Sequence, residues 1–129
     1  PMMNPTDLHD AAMVGQVVAA IAYLDGVGFH GIDTAISGGE IPAGTLGKVQ
    51  NAAAIVAAVK WPRALHEDGD ALVDALRDLS KAVEGTNASA AAEPAKAVHD
   101  IEHGLSRKAY AWLREMGGDA PAPDGGHAH

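Results

Sequence analysis

Apolar residues recur along this chain at the spacing of a helix face, and nowhere with the strict alternation of a half-buried strand. With Val18 as reference and a turn of about 100° per residue, Leu8, Ala11, Val14, Val18, Ile21, Ala22, Phe29, Ile32 and Ile36 fall within about 80° of one direction. The stripe predicts a first helix that starts at Thr6, a good N-cap with Asp7 and Asp10 in the first turn, and ends at Ser37-Gly38-Gly39. Gly26, Gly28 and Gly31 weaken its last third and predict a kink or break there. Pro42 opens a second helix, with Leu46, Val49, Ala53, Val56 and Ala57 on one face, and Trp61-Pro62 stops it. A third carries Leu65, Leu72, Val73, Leu76, Leu79 and Val83 and closes at Gly85. The fourth begins between Thr86 and Pro94 and presents Val98, Ile101, Leu105, Ala109, Trp112, Leu113 and Met116 before Gly117-Gly118.

Four helices with short connections predict an all-α fold, an antiparallel up-down-up-down four-helix bundle over residues 1–118. Residues 119–129, composed mainly of Ala, Pro, Asp, Gly and His, read as a disordered, flexible tail.

Composition narrows the function classes. The 129 residues include 27 Ala, so the 47% hydrophobic fraction consists largely of single methyl groups, which let helices approach closely. Seventeen acidic against nine basic side chains give a net charge of −8, which argues against nucleic acid or an anionic membrane surface as partner. The absence of Cys removes disulfides, zinc knuckles, iron–sulfur clusters, covalently attached haem and a thiol nucleophile. The longest apolar run, Ala11 to Leu24, is interrupted by Gln16 and falls short of the ~18 residues of a membrane span. Pro1-Met2-Met3 has no basic and apolar leader ahead of it, which favours loss of an initiator Met and a cytoplasmic chain over an exported one.

The remaining anomaly is seven His in so small a chain. Polar residues that land on a core stripe must be partnered, protonated or bound to an ion, because burying a lone charge is costly. Asp25 lies about 20° from the centre of the first stripe, and Glu102 about 40° from that of the fourth. At about 1.5 Å per residue on antiparallel helices, the two lie at similar heights, with His99 and His103 on the fourth helix and His30 on the first close to the same level. Two imidazoles four residues apart can serve one ion, and bundle cores are where carboxylate-rich metal sites are built. The expected metal set is therefore His99, His103, Glu102, Asp25 and His30, with ligand types suited to zinc, iron, nickel, cobalt or manganese. Non-covalent haem is the other cofactor this composition admits. His99 and His103 stand about 100° and 140° from the stripe centre, so the competing reading is a surface pair beside Asp100.

Other features carry less. Residues 99–103 read H-D-I-E-H, the His-x-x-Glu-His order of inverzincin peptidases, but a small alanine-rich bundle lacks their cleft and distant third ligand. His9 and His66, beside acidic residues, fall at helix starts, where acids are expected for dipole reasons. His127 and His129 could capture an ion from a flexible strand. No Ser/His/Asp order, phosphate loop or dinucleotide fingerprint points to an enzyme. Met13, Val17, Val27, Ile55 and Val59 lie off the assigned core faces, and this predicts self-association or packing on a larger protein as an accessory subunit.

Overall fold

The computed structural model describes residues 5–117, with side chains placed over 10–116. Five helices follow one another: α1 (Pro5–Val27), α2 (Phe29–Ser37), α3 (Thr45–Ala58), α4 (Arg63–Glu84) and α5 (Ala88–Gly117), with no strand among the described residues. The fold is an all-α bundle in which α1 and α2 together form the first of four arms. The break falls at Gly28, whose left-handed backbone (φ 81°, ψ 47°) an L side chain rarely adopts. The Gly28 carbonyl still accepts from the Ile32 N–H at 3.1 Å, so α2 restarts at once in a new direction.

The arms are antiparallel. α4 packs against both α3 and α5, α2 packs on α5, and α1 touches α3 and α5. The Lys60 backbone N–H donates to Gln16 Oε1 at 3.3 Å, tying the segment just after α3 to the middle of α1. Lys108 Nζ meets Asp68 Oδ2 at 2.9 Å, joining the late part of α5 to the early part of α4.

Sequence periodicity located the core face of α4 without error: Leu65, Leu72, Val73, Leu76, Leu79 and Val83 are all buried. For α1 it was right only in part, for Ile21, which is buried, and Val14, which packs on the core. The core residues there are Val17, Ala20, Ile21, Leu24 and Val27, whereas Val18, taken as the stripe centre, is 48% exposed and Ala11 and Ala22 are also exposed. The reason is that α1 is apolar around its whole circumference, so periodicity carries no direction and the neighbouring helices decide which side is covered. Leu8 lies outside the residues with described side chains. Beyond the break, Phe29, Ile32 and Ile36 are buried as expected.

Helix starts also moved. α3 begins at Thr45, after Gly44 in the left-handed region (φ 82°), and Thr45 Oγ1 donates to the Pro42 carbonyl at 2.7 Å. Asn87 caps α5, its Oδ1 accepting from the Ala90 N–H at 3.1 Å. Ala91, Ala95 and Ala109 are buried along α5, where small side chains permit close helix approach. Both indoles are buried anchors, and Trp61 Nε1 donates to the Val56 carbonyl at 3.0 Å.

By length and composition, Asp10–Ser37 is apolar enough to cross a membrane, a test that the core helix of a water-soluble bundle also passes. The Gly28 break and the polar Asp25, His30 and Asp33 fall inside that stretch. The predicted tail, 119–129, lies outside the described residues.

Candidate metal centre

The five residues expected from the sequence come together. Asp25 near the end of α1, His30 in the first turn of α2, and His99, Glu102 and His103 in the middle of α5 line one cavity of about 90 Å³, closed by Leu24, Gly28 and Phe29. Gly28 is what makes this convergence geometric. The restart there sets α2 along α5, so that His30 reaches the helix that carries the other two imidazoles.

The imidazoles form a row. His30 and His99 have ring centroids 5.1 Å apart at 60°, and His99 and His103 are 4.8 Å apart at 67°, both edge to face. Glu102 is 4% exposed, while His99, His103 and Asp25 are half-buried and His30 is exposed. The surface-pair reading of His99 and His103 therefore does not describe them: α2 covers their side of α5, and Asp100, the acid expected beside them, faces solvent.

His99 instead pairs with a residue that sequence reasoning overlooked. Asp33 Oδ2 stands 3.0 Å from His99 Nδ1, with both side chains largely covered. A carboxylate can only accept, so Nδ1 carries the hydrogen in this bond, and a neutral ring then presents the Nε2 lone pair on its other side. This carboxylate–imidazole arrangement is the one that orients metal-ligating His in general. Asp33 lies three residues from His30 on α2 and about 60° from the centre of the first stripe, so the polar intrusion that singled out Asp25 was present at Asp33 as well.

The electrostatics favour a cation. Asp25 and Glu102 line the cavity, Asp33 meets His99 beside it, and among the described residues no Lys or Arg lines it. Tyr110, about two turns further along α5 from Glu102 and His103, has its phenol pushed above the ordinary value of 10.0 by burial, and further by the charges of Asp25 and Glu102. Asp25 Oδ1 and Glu102 Oε2 are both buried atoms.

As placed, no three His, Asp or Glu side chains among the described residues are already gathered in an arrangement that could hold a metal ion. The donors share a cavity but are not closed around a point. Closure requires side-chain rotation, which exposure leaves open to His30. The volume suits an ion with one or two waters, each about 30 Å³ in the liquid, and is small for a porphyrin.

Of the other His, His66 alone has a described side chain, and it lies outside this cavity. His66 is exposed and meets Asp70 at 3.4 Å one turn along its own helix, in a surface crevice that holds Arg63 and Lys108 together with Glu67 and Asp68. The side chains of His9, His127 and His129 lie outside the described set. Of the apolar residues expected to be left over, Val17 and Val27 are in the core and Met13, Ile55 and Val59 are half-buried.

No model of a known protein family, no curated protein and no solved structure matches this chain.

Proposed function

We propose that this protein is a small acidic helical bundle that binds a divalent transition-metal ion through His99, His103 and His30, with Glu102 and Asp25 as carboxylate ligands or their supports. One observation carries the reading: three imidazoles and two carboxylates, chosen from sequence, line a single cavity at the α2–α5 seam. Imidazole and carboxylate donors without thiolate suit zinc, iron, cobalt, nickel or manganese, and the cavity size favours a bare ion over haem. Asp33 holds His99 in the orientation that ligation needs. Ligation requires these donors to close on one point, so binding and side-chain ordering are coupled.

A cobalt(II) titration of tag-free protein, followed by its visible absorption, tests this. One saturable site per chain is expected, displaced by zinc and absent from a His99→Ala/His103→Ala variant that keeps its helical circular dichroism. No saturable uptake, or uptake unchanged in the variant, contradicts the proposal.

A second reading, association with another copy or a larger protein, is favoured by α1. Its most apolar window is 28% buried, and Ala11, Ala12, Gly15, Val18, Ala19 and Ala22 form an exposed ridge of small and apolar side chains. A native mass of one chain at micromolar concentration, with nothing co-purifying, contradicts it.

A further inference from the structure

A second cavity, of about 340 Å³, opens between α1 and α5 on the side of Asp25 away from the α2 imidazole, lined by Val14, Val18, Ile21, Ala22, Asp25, Tyr110 and Leu113. Among the described residues its walls are almost wholly aliphatic, and the polar side chains that line it are those of Asp25 and Tyr110. Apolar walls with a few convergent polar groups are the pattern of a small-molecule site, and the volume is at the lower end of the roughly 300–1,000 Å³ range of such sites. Asp25 is common to this crevice and to the imidazole cavity.

We propose that the crevice binds an alkylammonium ion, its alkyl chain against Val14, Val18, Ile21 and Leu113 and its ammonium on the Asp25 carboxylate. Charge selects the head group. A carboxylate ligand would face Asp25 in a chain of net charge −8, and neither cavity offers it a Lys or Arg. A purely apolar ligand would strip water from Asp25 and return nothing. An ammonium forms a charge-assisted hydrogen bond there, and a carboxylate, with about four lone-pair positions, can accept it alongside its existing interactions. The phenol of Tyr110, held neutral, can accept a further N–H. The inference does not depend on the metal reading: a His99→Ala/His103→Ala variant should keep the amine.

The test is a methyl-detected NMR titration of metal-free protein with n-hexylammonium, n-hexanol and n-hexanoate. Hexylammonium should give saturable shifts centred on Val14, Val18, Ile21 and Leu113, hexanol weaker ones and hexanoate none. Asp25→Asn should weaken the amine about tenfold or more through loss of the charge-assisted bond, and Ala22→Phe, which fills the crevice mouth and leaves Asp25 in place, should abolish binding if the first variant fails to fold. No saturable shift with the amine, equal binding of hexanoate, or unchanged binding in Ala22→Phe overturns the proposal. It is also overturned if the same methyls shift on dilution as a dimer dissociates, because a second copy then covers the crevice.

Discussion

At the level of single residues, Asp33 and Glu102 stand at the α2–α5 seam and Tyr110 in the neighbouring α1–α5 crevice. Asp33→Ala leaves His99 without its orienting acceptor, and metal affinity should fall by about 10–100-fold while the fold survives, as isothermal titration would report. Tyr110 makes a different prediction. Its phenol is held protonated in the folded chain by burial and by Asp25 and Glu102, so the protein is stabilised relative to its unfolded form at all pH values below the ordinary phenol range. Stability should fall as pH rises through and beyond 10.0, the unfolded value, until the folded phenol itself ionises. Ultraviolet titration should find one phenol ionising late, and Asp25→Asn should move it back toward the ordinary value. A Tyr110 that ionises with model tyrosine contradicts the burial described for it.

At the level of helices, two glycines do distinct work. A Cβ on Gly69 would lie 2.6 Å from Trp61 Cδ1 and Nε1, and the indole is held by its bond to the Val56 carbonyl, so it cannot swing aside without losing that bond. Gly69→Ala should therefore cost about 1–3 kcal/mol in denaturant unfolding. At Gly28 a Cβ meets nothing within 4 Å, and the cost is in the backbone alone, about 1–2 kcal/mol for the left-handed conformation. Because Ala also favours continuing the helix, Gly28→Ala should turn α2 away from α5 and weaken metal binding more than that cost implies. The same break explains what the sequence did and did not disclose. Strong amphipathicity fixed the face of α4, and the polar intrusions Asp25 and Glu102 pointed to the seam. In α1, apolar on all sides, the choice of Val18 over Val17 had no physical basis until α3 and α5 were in place. Asp33 was missed although it lies within the first stripe beside Ile32 and Ile36; what the sequence does not carry is its partner, because the approach of His99 depends on how α2 packs on α5.

For the whole molecule, a bundle rich in alanine and free of cysteine leaves imidazole and carboxylate as its strong metal donors, and the antiparallel arms bring three of the four described imidazoles to one level with Asp25 and Glu102. Acidic charge around the row favours cations, and the neighbouring aliphatic crevice shares one of its carboxylates. The central claim is that His99 and His103 hold a metal ion. Its most direct test is elemental analysis of tag-free protein and of the His99→Ala/His103→Ala variant, each loaded with zinc and passed through gel filtration. Close to one zinc per chain in the parent and none in the equally helical variant is the predicted result; equal zinc in both, or none in either, would contradict it.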